Sequence, residues 1–386
     1  MAKQPVYAVI CCQFHYHEPT EMNSSVAKTI GEETGRTTMS KLAKIILSSV
    51  IAGAPMSLLS PLSAAQDQEI PQLDGIWTNA SRTSLTRPRG LETLVVPGDE
   101  AEQIVAGMSI AGISAENVEA GPAIDPETGA PPVGGQDFGL RGYNLFWTDP
   151  GSTLALVKGE FRTSLIVNPE NGQIPRLENP TYNLNRTNFG ARYLTGVGDT
   201  SGPEAIPIAE RCLIGFGNTA GPGMMGTLYN STYQFVQTDN YLMISVEMAH
   251  DARIVPLFDS AEEARANTRP EVHSPWFGDS RGWYEGDTLI VETVNINPLQ
   301  MSQSSIPISP EGRITERFSR YSDTEIVYQF TVDDSNLYSQ PWTVEMSYHE
   351  TKGPLYEYAC HEGNYAMPGI LAGARRQEAE EAAKQQ

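Results

Sequence analysis

From residue 154 to residue 349 the chain alternates large apolar with small or polar side chains, in short runs broken by turn-forming residues. The clearest run is 326–332, where Ile326, Tyr328, Phe330 and Val332 alternate with Val327, Gln329 and Thr331. In 342–349, Trp342, Val344, Met346 and Tyr348 fall on one side, and Thr343, Glu345, Ser347 and His349 on the other. A period of two belongs to a strand with one face on a core and the other on water or a polar cavity. Further strands are predicted over 154–157, 163–167, 233–237, 241–247, 283–284, 288–294, 314–320 and 325–332. The turn runs Asn168-Pro169-Glu170-Asn171-Gly172, Thr238-Asp239-Asn240 and Glu285-Gly286-Asp287 punctuate them. Strands this closely spaced predict an all-β protein, an antiparallel barrel or sandwich. If the polar faces line a lumen, the barrel is lipocalin-like, with room for a ligand.

Helices are expected to be few and short. Ser260-Ala261-Glu262-Glu263 has the form of a capping box. Residues 66–150, rich in Gly, Pro, Asn and Thr, read as an irregular wrap holding a short strand at 75–77 and a short helix at 100–108. Strands occupy 151–368, and the Ala/Glu/Arg-rich end, 369–386, reads as a helical tail. The body from 66 to 368 is expected to be one domain.

Ahead of this body lies an export signal. Lys41 and Lys44 precede an apolar stretch from Ile45, and Ser63-Ala64-Ala65 places small residues before Gln66. Gly53, Pro55, Ser57, Ser60 and Pro61 interrupt the stretch, which argues against a membrane span of roughly 20 apolar residues. The signal peptide is therefore expected at 39–65, and the location is periplasmic or secreted. Residues 1–38, with Cys11-Cys12, His15 and His17, read as an over-long start with Met39 as the initiator.

The net charge of −21 disfavours nucleic acid and anionic lipid as partners. Two cysteines remain in the body. In an oxidising compartment Cys212 and Cys360 read first as a disulfide, with a free nucleophile at Cys360, next to His361, as the rival.

Four groups carry candidate chemistry. In the run from Glu247 to Arg253, an extended backbone would set Glu247, Asp251 and Arg253 on one face, where the arginine tunes the carboxylates or clamps an anion. A helix would instead make Glu247 and His250 a Glu-x-x-His pair of the di-iron kind, and a surface salt bridge is the plain alternative. The second group, Tyr356 to Tyr365, is dense in acid/base groups. There His361 is the natural general acid or base, with Glu362 or Asn364 to orient it and Tyr358 to meet substrate; alternatively the whole run packs around the Cys212–Cys360 staple. Third, Trp276 to Asp287 sets aromatics beside Asp279 and Arg281, suiting a binding rim or the core of a hairpin. The fourth is the polar-aromatic run with Tyr143 and Trp147. No phosphate loop, dinucleotide fingerprint or calcium loop occurs, so no cofactor is expected.

Several runs together resemble a large family of exported, mostly uncharacterised proteins of proteobacteria and acidobacteria. They are Leu73-Asp74-Gly75-Ile76-Trp77, Glu210-Arg211-Cys212-Leu213, Gly278-Asp279-Ser280-Arg281-Gly282, Glu285-Gly286-Asp287-Thr288-Leu289 and Tyr358-Ala359-Cys360-His361-Glu362-Gly363-Asn364-Tyr365. The resemblance implies an export signal and one domain, and no particular reaction. The Asp-Gly-x-Trp opening is also similar to that of lipocalins.

The functional expectation is a cofactor-independent lyase, isomerase or hydratase acting on a small organic molecule in the barrel. Its catalytic groups would be His361, Glu362, Glu247 and Asp279. Arg253 and Arg281 would hold anionic or carbonyl oxygens, and Tyr143, Trp147, Trp276, Tyr358 and Asn364 would line the site. A non-catalytic ligand-binding or envelope protein is the alternative. A metal-dependent hydrolase would need His250, His273, His349 or His361 to meet, which no spacing supports.

Overall fold

The two alternating runs become neighbouring strands of a closed barrel in the computed structural model of the protein. The structure describes residues 70–108, 151–183, 198–227, 229–362 and 364–385. Strands β12 (Glu325–Asp333) and β13 (Trp342–Glu350) pair antiparallel, with Tyr328 opposite Met346 and Phe330 opposite Val344. Every apolar position of the two alternations is buried.

The other staves are β1 (Gly75–Thr78), β6 (Thr232–Gln237), β7 (Tyr241–Val246), β8 (Ala252–Phe258), β9 (Asp279–Glu285), β10 (Thr288–Val294) and β11 (Arg313–Ser322). Their order is β1-β6-β7-β8-β9-β10-β11-β12-β13, and β1 pairs with β13 to close the ring. A short strand β5 (Ile166–Asn168) shares that edge of β13, at Thr343 and Val344, while β1 takes His349 and Glu350. All pairings are antiparallel except β8–β9, which run parallel at Leu257–Gly282 and Phe258–Trp283. The intervening segment, with helix α2 (Ala261–Ala266), returns the chain to the starting end, as a parallel pair requires. Ser260 caps α2 by accepting the Glu263 N–H at 3.2 Å.

The interior is filled with rings. Phe318 packs tilted against Tyr328 (centroids 4.9 Å), and Tyr233 meets Tyr348 (5.0 Å), Tyr348 meets Tyr328 (5.5 Å) and Tyr338 meets Trp342 (5.4 Å) edge to face. A barrel of this strand number has just enough interior for side chains. Over one part of it folds the glycine-rich loop 215–226. Gly223 sits where a Cβ would lie 2.7 Å from Ile306 Cδ1, and Gly221 where one would lie 2.5 Å from Arg253 Nη1. Both have positive φ, so glycine is needed there for backbone and for space.

The polar face of β13 is largely covered, with Glu345 and Ser347 buried and Thr343 and His349 half-buried. Strands β2 (Val95–Val96), β3 (Leu156–Val157) and β4 (Glu160–Arg162) form a small sheet over it. Arg162 Nη2 reaches Glu345 Oε1 at 3.0 Å, the Lys158 N–H donates to Glu325 Oε1 at 2.8 Å, and His349 Nε2 lies 2.9 Å from the Leu156 carbonyl.

Some boundaries differ from those predicted. β1 is a barrel stave rather than part of an irregular wrap. β8 is a full strand although Ile254 and Pro256 blur its alternation. β9 starts at Asp279 rather than Trp283, because Gly282 permits close approach to Leu257. Helix α1 is Gly98–Ala106, α3 (Pro298–Met301) follows α2, and the tail helix α4 (Ala366–Lys384) starts three residues before the predicted 369. Among the described residues no helix is long and apolar enough to cross a membrane. The expected signal peptide at 39–65 lies outside the described residues.

Candidate functional site

Between β7 and β8 the chain turns through Met248–His250, and Ala249 and His250 both adopt left-handed backbone (φ 58° and 53°). Non-glycine residues hold such angles at a cost, and they concentrate at functional sites. Residues 247–251 are thus neither the continuous strand nor the helix considered from sequence, which removes the di-iron geometry. Two buried carboxylates flank the turn. Glu247 accepts the Tyr356 N–H at Oε1 (2.9 Å) and the Thr232 N–H at Oε2 (3.3 Å). Asp251 accepts the Gly215 N–H at Oδ2 (2.7 Å). Burial pushes the Asp251 carboxyl up to about 6, against the opposing pull of that N–H and of nearby His250. His250 Nε2 accepts the Tyr358 N–H at 3.0 Å, which assigns the proton of the neutral ring to Nδ1.

A strap of irregular chain following β13 lies over this turn. Tyr356 and Tyr358 dock on Glu247 and His250, and the Tyr358 ring packs on the core. Beyond them the disulfide Cys212–Cys360 fastens the strap, and Asn364 Nδ2 donates to the Glu210 carbonyl at 2.9 Å. Cys212 is also left-handed (φ 57°). The disulfide decides against the free Cys360 nucleophile. Two of the nominated groups, 247–253 and 356–365, therefore meet at one place. His361 and Glu362 sit on its exposed edge.

The nominated arginines lie elsewhere. Arg253 points into the barrel, where its guanidinium binds both Glu316 oxygens, Ser280 Oγ (3.0 Å) and Thr293 Oγ1 (2.9 Å). Burial alone would push Arg253 down, but Glu316 holds it above its ordinary value. Tyr328 donates to Glu316 Oε1 at 2.6 Å, and burial, with that carboxylate beside it, raises its hydroxyl well above the usual range. Arg281 is on the opposite, outer face of β9. Its Nη1 pairs with Asp279 Oδ1 at 2.6 Å, and Nε and Nη2 donate to the Asn267 carbonyl. Asp279 also accepts the Arg269 N–H at 2.7 Å. Asp279 and Arg281 thus clamp the α2–β9 segment to the wall, and half-buried Trp276 belongs to the same segment. Arg253, Arg281 and the strap do not converge. Tyr143 and Trp147 lie outside the described residues.

Sequence reasoning left out Asp251 and Glu316 as principals. Glu316 was legible in the pattern Ile314-x-Glu316-x-Phe318, because a charge on the apolar face of a strand demands a buried partner. The alternation of Arg253, Val255 and Leu257 carries the same signal. Asp251 is raised by burial, and the loop that meets it at Gly215 lies 36 residues away, so no local pattern reports its surroundings.

Among the described residues no group of three or more His, Cys, Asp or Glu is placed to hold a metal ion. No protein-family profile, curated protein or solved structure matches the chain.

Proposed function

We propose that the protein is exported and transforms a small organic molecule by proton transfer at the turn after β7, in the manner of a lyase, isomerase or hydratase. The observation that carries this reading is Asp251, a buried carboxyl held at about 6, beside an imidazole and under the strap. A carboxyl held at about 6 is mostly ionised at neutral pH, so it can take a proton, and it lies close enough to neutrality to return one. Asp251 is the proton-transfer group in this reading, and the imidazole of His250, whose Nε2 takes the Tyr358 N–H, is the second. His361 and Glu362, on the strap, would meet substrate at the rim. The arginines assigned to substrate from sequence are left out, because both are committed to scaffold contacts. The Cys212–Cys360 disulfide supports an oxidising compartment and hence export.

Deuterium wash-in tests the reading without knowledge of the product. The protein is incubated in D2O with a panel of hydroxy acids, keto acids and enols, and C–H loss is followed by proton NMR. Catalysed exchange that vanishes in Asp251→Asn supports the proposal. Exchange untouched by that substitution rejects the assignment.

The commitment of Arg253 and Arg281 to the scaffold favours a second reading, a non-catalytic binding or envelope protein. It predicts no exchange from any member of the panel, together with ligand-induced thermal stabilisation.

A further inference from the structure

One ring nitrogen stands between two strap atoms of opposite kind. His250 Nε2 lies 3.0 Å from the Tyr358 backbone nitrogen and 3.4 Å from the Tyr356 carbonyl oxygen. The neutral ring, with its proton on Nδ1, accepts the Tyr358 N–H. A protonated ring carries hydrogen on both nitrogens and accepts nothing. Nε2 then faces the Tyr358 N–H donor against donor, and the strap acceptor beside it is the more distant Tyr356 carbonyl.

The strap is anchored at both ends and lightly held between them. Glu350 ends β13 on one side, and Cys360 is bonded to Cys212 on the other. Residues 351–359 belong to no helix or strand, and Tyr358 is the one buried residue of that run. The Tyr356 N–H binds Glu247 and the Tyr358 N–H binds His250. A carboxyl group keeps an acceptor oxygen when it is protonated, whereas an imidazole does not. Acid therefore acts on the histidine contact first. The ionisable groups near the ring are Glu247 and Asp251 on the turn, Lys352 and Glu357 on the strap, and His361 and Glu362 beyond the disulfide. The loop that meets Asp251 at Gly215 brings Glu210 and Arg211, and no charge from Leu213 to Met225. Carboxylates outnumber cations here, so a charged ring finds partners on the turn and needs none on the strap.

We propose that His250 is an acid-operated latch: the neutral ring holds the strap on the turn, and protonation lifts it around Tyr356 and Tyr358 while β13 and the disulfide keep its ends. Histidine is the side chain that changes charge between about pH 5 and 8. Lifting uncovers Glu247 Oε1, which the Tyr356 N–H otherwise occupies. The latch would regulate access to the turn, and it operates whether or not Asp251 transfers protons there.

Amide hydrogen exchange on the oxidised protein tests this, read as protection factors so that the pH dependence of the intrinsic rate cancels. From about pH 7.5 to about pH 5, across the range in which imidazole charges, protection of the Tyr356 and Tyr358 amides should fall. The loss of one net hydrogen bond makes the fall about fivefold, and the amides of β12 should hold. The ring nitrogen resonances of His250 should titrate with the same midpoint, a comparison that needs no variant. His250→Gln, whose side-chain oxygen accepts at every pH, should keep the protection flat. Asp251 titrates in the same range, at about 6, so Asp251→Asn is the control and should leave the fall in place. Wild-type protection that ignores pH overturns the proposal, and so does a fall whose midpoint differs from that of the ring. A fall that persists in folded His250→Gln, or that vanishes in Asp251→Asn, assigns the event to another group and overturns it as well.

Discussion

The backbone N–H of Tyr356 donates to Glu247 Oε1 at 2.9 Å across 109 residues of chain. With the bond from the Tyr358 N–H to His250, it makes the turn after β7 the dock for the C-terminal strap. Glu247 is buried and its other oxygen takes the Thr232 N–H, so one side chain ties strap, turn and β6 together. Glu247→Ala leaves two backbone donors without their acceptor. We expect a loss of about 1 to 3 kcal/mol in urea unfolding. Faster hydrogen exchange at the Tyr356 amide should accompany it. Unchanged exchange there would mean that the strap is held by other contacts.

The disulfide Cys212–Cys360 closes a separation of 148 residues. Cross-links over long separations restrict the unfolded chain most, and removing one typically costs about 2 to 5 kcal/mol. The paired substitution Cys212→Ser with Cys360→Ser should lower stability by that order. It should also raise exchange along the strap while leaving the amides of β12 and β13 protected. Collapse of both together would show that the strap is part of the cooperative core.

Much of the barrel was legible from period alone. The runs 326–332 and 342–349 gave the core-facing residues of β12 and β13, although Val327, Glu345 and Ser347 on the other face are buried as well. The Thr238-Asp239-Asn240 and Glu285-Gly286-Asp287 turns gave two hairpins. The identity of the neighbours was not legible. The polar face of β13 looks the same whether it meets water, a lumen or the small sheet that covers it, because Glu345 and His349 suit all three. The site divides in the same way. Local density singled out 247–253 and 356–365, and the structure joins them. Arg253 and Arg281 looked alike in sequence, yet their strand positions send one to the interior and the other outside.

The elevated Asp251 makes a prediction for pH. Its carboxyl titrates at about 6 in the folded protein, against an ordinary value of 3.8. Between these values the folded state binds more protons at this site than the unfolded state. Its contribution to stability is therefore fully present below pH 3.8 and is lost as pH rises through about 6. Asp251→Asn keeps an oxygen for the Gly215 N–H and removes the titration. The difference in unfolding free energy, variant minus wild type, should rise by about 1.4 kcal/mol per pH unit across that window and level off above it. Urea titrations from pH 3.5 to about 7 measure it. A flat difference would show that Asp251 is solvated when the protein is folded.

Arg253 and Glu316 set the last expectation. The pair is fully buried, and Ser280, Thr293 and Tyr328 satisfy its remaining hydrogen-bonding capacity. Removing one partner strands the other charge away from water, which costs about 3 to 5 kcal/mol. Replacing both with apolar residues of similar size removes the stranded charge and costs far less, though Ser280, Thr293 and Tyr328 then lose a partner. We therefore expect Glu316→Leu to be severely destabilising, and Arg253→Met combined with Glu316→Leu to recover much of the loss. A double-mutant cycle by thermal unfolding measures the coupling. If the double variant is as unstable as the sum of the singles, the two side chains act independently, and the interior tyrosines rather than the ion pair fix the centre of the barrel.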